Sequence, residues 1–140
     1  MENIILNTTI LKPVHEVWEY YTQPEHIKKW NITNENWVCP RAENDLRTGG
    51  RFNYRMETKD GSYGFDYAGT FDEVIPQQKL SYTLDDGRKA EVIFNKVDET
   101  TTEVFLDIEA ETKNPVEMQK NGLDKILHSF ELYSENQNSK

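Results

Sequence analysis

Several things are missing from this 140-residue chain, and each absence removes a class of explanation. There is one cysteine, Cys39, so no internal disulfide can staple the fold. A lone thiol suits a reducing compartment. Histidines are few: His15, His26 and His128. No two of them, and none with Cys39, share a ligand spacing such as His-x-x-x-His or Cys-x-x-Cys, so no metal site is expected. No apolar run approaches the roughly 20 residues of a membrane span. The opening stretch MENIILNTTI lacks a basic segment followed by an apolar core, which argues against a signal peptide. Together these features predict a cytoplasmic protein without membrane insertion. Positive charge is also scarce, with 16 Lys and Arg against 25 Asp and Glu, a net charge of −9. A phosphate backbone calls for a basic patch. Here the cations are scattered among acids, so nucleic acid is excluded as a partner, and the acidity reads as solubility. There is no Gly-x-Ser-x-Gly elbow, and Gly49-Gly50 is not followed by the Lys-Ser/Thr of a phosphate loop. Nothing around Cys39 marks a nucleophile, so no catalytic residue, cofactor or enzymatic activity is assigned.

What is present is periodicity. Asn3 to Leu11 is β-branched and alternating, a strand signal. Pro13 suits a first helical turn, and Val14, Val17, Trp18 and Tyr21 mark one buried helical face. Thr22-Gln23-Pro24-Glu25 has the spacing of a capping box and opens a second helix, with Ile27 and Trp30 inward and Lys28 and Lys29 in water. Asn31 to Asn44 lacks a period and reads as a loop with Trp37 and Cys39 tucked in. Phe52, Tyr54 and Met56 then alternate with polar residues. Asp60-Gly61 and Asp86-Gly87 are hairpin turns, and Tyr63 to Ile75 is a strand whose Gly69 suggests a bulge. Leu80, Tyr82 and Leu84, then Ala90, Val92 and Phe94, then Val104, Leu106, Ile108 and Ala110 form further inward faces. Asn114-Pro115-Val116-Glu117 starts a last helix, with Asn114 as cap. That helix carries Leu123, Ile126, Leu127, Phe130 and Tyr133 as one stripe and should run about twenty residues, or roughly 30 Å. Residues 135–140 read as a frayed polar tail. With no repeat and no linker, residues 1–140 are expected to form one domain. The fold class is α+β: a curved antiparallel sheet of about seven strands, two short helices after the first strand, and a long C-terminal helix over the concave face.

The segments PVHEVWEYYTQPEHIKKW, DLRTGGRF, Gly69 to Pro76, Lys79 to Thr83, Asp86 to Val92 and the final helix NPVEMQKNGLDKILHSFELY resemble the activator of heat-shock-protein-90 ATPase homologue-like family. That family lies within the START-like (SRPBCC) helix-grip superfamily. The resemblance covers nearly the whole chain and implies a sheet gripping the last helix, often with a cavity between them. It departs at Gly122-Leu123, where the family usually carries Gly-Trp, a change that would enlarge the cavity. Chaperone stimulation belongs to larger members with a further N-terminal domain. Small relatives are associated with lipophilic ligands, and some START-like relatives are cyclases or other enzymes.

The functional signal is aromatic. Trp18, Trp30, Tyr54, Tyr67, Tyr82, Phe94 and Phe130 fall on inward faces, with Met56, Leu123 and Leu127 beside them. Such residues suit an apolar ligand oriented by a few hydrogen bonds, and they equally suit plain core. The expected mouth lies near the second helix and the Asn31 to Asn44 segment, with Trp30 at the entrance and Tyr54 and Tyr82 deeper. Among the strand carboxylates, Asp66 and Asp72 should face outward. Glu73 is inward by plain alternation unless a bulge reverses it. Three readings follow: a module binding a small hydrophobic or amphipathic molecule, a protein-interaction or chaperone-associated module, and a cyclase- or hydrolase-like enzyme. Nothing in the sequence specifies an oligomeric state.

Overall fold

A computed structural model describes residues 2–32 and 34–137. The chain runs β1 (Asn3–Ile10), α1 (Val14–Thr22), α2 (Pro24–Trp30), β2 (Trp37–Asn44), β3 (Arg51–Thr58), β4 (Gly64–Ile75), β5 (Lys79–Leu84), β6 (Lys89–Asp98), β7 (Thr101–Glu109) and α3 (Val116–Glu135). The strands form one antiparallel seven-stranded sheet in the order β1-β7-β6-β5-β4-β3-β2. It curls into a half-barrel with α3 in its grip, the helix-grip arrangement. Among the described residues no helix is long and apolar enough to cross a membrane.

Register follows from alternation. One inward row reads Ile4, Ile108, Ala90, Tyr82, Phe71 across five strands. The next reads Leu6, Leu106, Val92, Leu80, Val74. A one-residue slip would turn every one of these side chains to water, which fixes the pairing. The Phe71-to-Val74 step breaks simple alternation because Asp72 is an extra residue between the Phe71–Tyr82 and Glu73–Ser81 pairs. This bulge lies three residues beyond Gly69. It turns Glu73 outward, where it meets Lys79 Nζ at 2.9 Å. Asp66 and Asp72 are both exposed. Gly69 is needed for a different reason: a Cβ there would come within 2.3 Å of the Thr83 carbonyl oxygen on β5.

Four sequence expectations are corrected. The segment expected to be a loop, Asn31 to Asn44, contains β2. Its alternation is disguised by a bulge between Val38 and Arg41, which holds Pro40 at the free edge of the sheet. Thr22 is not a cap. It ends α1 and its hydroxyl donates back to the Trp18 carbonyl at 2.7 Å, while Gln23 precedes α2 without a side-chain cap bond. Asn114 is not a cap either, because α3 begins one residue later with Pro115 at the cap position. The Asn114 amide instead bonds Glu111. Glu135 is not frayed: it is the last residue of α3 and accepts the Leu11 N–H at 2.9 Å. The remainder of the expected tail, 138–140, lies outside the described residues.

The two halves of α3 are held differently. Its buried residues are Leu127, Phe130 and Ser134, all in the second half. That half docks on β1 through Glu131 to Thr8, on the residue after β1 through Glu135 to Leu11, and on α2 through Tyr133 to His26. The first half offers Val116 and Leu123, with Ile126 at the midpoint, each only partly buried against the core.

Candidate functional site

The ten residues expected to line a ligand site divide into two sets. Trp30, Met56, Tyr82, Phe94, Leu127 and Phe130 are buried. Trp18, Tyr54, Tyr67 and Leu123 pack against the core but keep accessible surface. The buried set is dominated by ring contacts. Trp30 and Phe130 meet edge to face with centroids 4.8 Å apart, and Tyr21 lies 5.0 Å from each. Trp18 and Tyr21 both meet Phe94. Trp30 therefore does not stand at an opening. It is 5% exposed and its indole N–H donates to the Tyr20 carbonyl at 2.8 Å. Its placement follows from the short α2, which packs Ile27 and Trp30 on one face.

The second set points to the other end of the half-barrel. Tyr54 and Tyr67 are cross-strand partners on β3 and β4, around the ring of Phe52. Tyr67 and Tyr82 share a hydrogen bond of 2.8 Å between hydroxyls. Asn44 donates to the Tyr54 hydroxyl at 3.1 Å and to the Thr22 carbonyl at 2.8 Å, tying β2 to the end of α1. Tyr21 completes the group from α1. Burial pushes all four phenols above their ordinary value, and the phenols of Tyr67 and Tyr54 raise Tyr21 further. Yet Tyr21, Tyr54 and Tyr67 keep accessible surface. Among the described residues the Tyr21 hydroxyl has no hydrogen-bond partner, and the one sealed, unpartnered side-chain group is Ser134 Oγ, so the Tyr21 hydroxyl is not sealed by protein. A Cβ built on Gly122 meets no atom within 4 Å, so nothing packs against α3 at that position.

Further toward that end, Trp37, Tyr63 and Phe65 form a loose aromatic group with centroids 5.8 to 6.4 Å apart. Phe65 pairs with inward-facing Met56 and Trp37 with Thr58, so these rings continue the concave face past the covered core. Tyr63 is 61% exposed. Two open hollows lie on the surface, one touching Asn44 and Phe52 and the other Tyr82. One of about 430 Å³ is lined by Glu43, Asp45, Arg51 and Asn53 with Asn44 and Phe52. The other, about 400 Å³, lies on the sheet among Asn3, Asp72, Lys89, Glu91, Asp107 and Glu109. Both are polar-rimmed, and neither touches Leu123.

Reactive groups are few. Burial pushes the Cys39 thiol up to about 11, with Lys28 pulling weakly the other way, so little thiolate forms at neutral pH. His26 Nδ1 and the Tyr133 hydroxyl are 2.6 Å apart. Beside them the Tyr20 hydroxyl donates to buried Glu16 at 3.2 Å, and burial with that carboxylate pushes Tyr20 up to about 12. These contacts lock α1, α2 and α3 together. Among the described residues no three His, Cys, Asp or Glu side chains are grouped to hold a metal ion.

The sequence profile described as Activator of Hsp90 ATPase homolog 1-like protein matches residues 12–135. The chain belongs to this family. An AHSA1-like protein from Aeromonas hydrophila, solved in solution, superposes with a TM-score of 0.88 at 33% identity, covering 99% of both chains. The Chr148 protein from Cytophaga hutchinsonii superposes at 0.83 with 38% identity, covering 96% of this chain and 92% of its own. A protein from Chromobacterium violaceum shares the fold at a TM-score of 0.86 with 19% identity. No match was found among curated proteins. Family membership and fold support a generic binding module or a relative of the ATPase activators. The sequence reading passed over Tyr21 and Asn44 as site residues. Tyr21 was legible only as helical core, and Asn44 was lost with β2.

Proposed function

We propose that this member of the family is a binding module for a small hydrophobic or amphipathic molecule, held between the sheet and the first half of α3. One observation carries the reading: Tyr21, Tyr54 and Tyr67 are set inside the grip yet keep accessible surface. Trp18 and Leu123 would form apolar wall, and the mouth would lie toward Trp37, Tyr63 and Phe65. Such a site offers rings for contact area and hydroxyls for orientation. The chain would act as a single domain in the cytoplasm, as its one buried thiol suits. The test is a panel of lipophiles read by thermal shift and tryptophan fluorescence, since a ligand that prefers the native state raises Tm. Leu123→Trp should fill the space, weaken binding and leave folding intact. No shift with any lipophile would overturn the reading.

The exposed ring group Trp37, Tyr63 and Phe65 favours a second reading, a protein-interaction module related to the chaperone activators. Tyr63→Ser with Phe65→Ser would then abolish capture of a chaperone ATPase, while Leu123→Trp would weaken lipophile binding and leave capture unchanged. Retention of capture by the Tyr63→Ser, Phe65→Ser variant would exclude this surface.

A further inference from the structure

The hydroxyls of the interior site are out of balance, and the imbalance bears on ligand chemistry. Each phenol carries one proton to donate. Tyr54 accepts from Asn44 and so keeps its own proton free. Tyr67 and Tyr82 bond each other, so one of them donates and the other keeps its proton. The Tyr21 hydroxyl has no hydrogen-bond partner among the described residues and is not sealed, so its proton is free as well. Three donors therefore converge from α1, β3 and the β4–β5 pair. The Thr22 carbonyl already accepts from Asn44 and the Trp18 carbonyl from Thr22. Among the described residues, no unpaired cation acts on these four phenols. Tyr67 feels Arg88, but that guanidinium is engaged by Asp86 at 2.8 Å. Donors without a counter-charge suit an oxygen that accepts without being ionised, because a buried carboxylate needs a charge partner to repay its desolvation.

We propose that the site takes a neutral apolar molecule bearing a carbonyl oxygen, held by the hydroxyl proton of Tyr21 and by one more from Tyr54 or the Tyr67–Tyr82 pair. This rests on the ligand-binding reading above and specifies it. A ketone oxygen has two lone pairs and brings no proton of its own, so it relieves two of the three donors at once. The Tyr21 ring packs against Trp30, Phe94 and Phe130, but among the described residues its hydroxyl bonds nothing.

Three probes of similar size separate the possibilities: benzophenone, diphenylmethane and diphenylacetate, each titrated calorimetrically into the full chain. Benzophenone should bind about tenfold more tightly than diphenylmethane, the margin of one or two net hydrogen bonds. Diphenylacetate should bind most weakly. Tyr21→Phe should narrow the benzophenone margin several-fold and leave diphenylmethane affinity unchanged, and folding is not at stake because no protein hydrogen bond is lost. With ¹³C-labelled carbonyl, the infrared stretch of bound benzophenone should move to higher frequency in Tyr21→Phe as a donor is removed. Equal affinity for ketone and hydrocarbon, or tightest binding of diphenylacetate, would overturn the carbonyl assignment and leave the apolar-site reading standing. Binding of none of the three would overturn both.

Discussion

The same helix is gripped at one end and merely covered at the other. The second half of α3 is locked by Phe130 between Trp30 and Tyr21, by Tyr133 on His26, by Glu131 on β1 and by Glu135 on Leu11, the residue after β1. The first half has no fully buried side chain, and nothing packs against it at Gly122. The inner sheet face changes in parallel. Beneath α1 and α2 it carries aliphatic and phenyl groups that exclude water. Toward the β3–β4 hairpin it carries Tyr54, Tyr67, Phe65 and Tyr63, which retain exposure. The contiguous core does not extend to buried Met56 and Cys39. The contrast teaches that the stability of this fold and its capacity to bind can be divided along one helix. The packed end can hold the domain together while the other keeps apolar surface in reserve.

Substitutions at the two ends should differ most. Phe130 is fully buried, so Phe130→Ala should lose about 3–5 kcal/mol in chemical denaturation. Leu123→Ala, on the same face but at the loose end, should lose about 1 kcal/mol or less. Similar losses at both positions would erase the contrast.

Alkaline pH probes the four phenols together. Their folded values lie above the ordinary 10.0 because burial disfavours the phenolate. The stability they contribute is therefore fully present below pH 10 and is lost as pH rises through the folded values, while the unfolded chain ionises first. Denaturation midpoints should begin to fall near pH 9, where the Cys39 thiol ionises in the unfolded chain, and fall more steeply beyond pH 10 as the phenols join it. The fall should shrink in Tyr67→Phe. A midpoint at pH 11 equal to that at pH 8 would place these hydroxyls in bulk water instead.

Much of this was legible in the sequence. Strands with clean alternation, such as β5, β6 and β7, and turns with Asp-Gly stand where the pattern put them, with Gly61 and Gly87 at positive φ as those turns require. The stripe Leu127–Phe130 on α3 was legible for the same reason. What was hidden shares one cause: local exceptions to a period. The bulge at Pro40 disguised β2, and with it Asn44. The bulge at Asp72 decided the side of Glu73 only once pairing with β5 was known. Periodicity also marks a face as inward without saying whether anything fills the space opposite. Trp30 and Tyr54 therefore read alike in the sequence, though one is sealed by Phe130 and the other is not.

Cys39 measures how far the opening reaches. It is buried near the loose end, and its thiol is raised from 9.0 to about 11. That shift alone cuts the thiolate about a hundredfold at pH 8. Alkylation should therefore proceed at least that much more slowly than in denaturant. Rapid labelling of the native protein would extend the open region past α2. A smaller effect provides a control away from both ends. Gln77 holds a φ of 64° in the β4–β5 turn after Pro76. Gln77→Gly should stabilise by about 1 kcal/mol by removing the cost of the left-handed region, and should leave any ligand affinity unchanged.

Native-state hydrogen exchange along α3 tests the division most directly, because it reads the opening free energy of each amide in one experiment. Amides from Leu127 to Ser134 should exchange only with global unfolding, with protection that follows the denaturation free energy. Amides from Gln119 to Ile126 should exchange through local opening, at least tenfold faster, about 1.4 kcal/mol less protected. Saturating benzophenone should slow the second group more than the first. Uniform protection along the helix, unchanged by the ligand, would contradict the account.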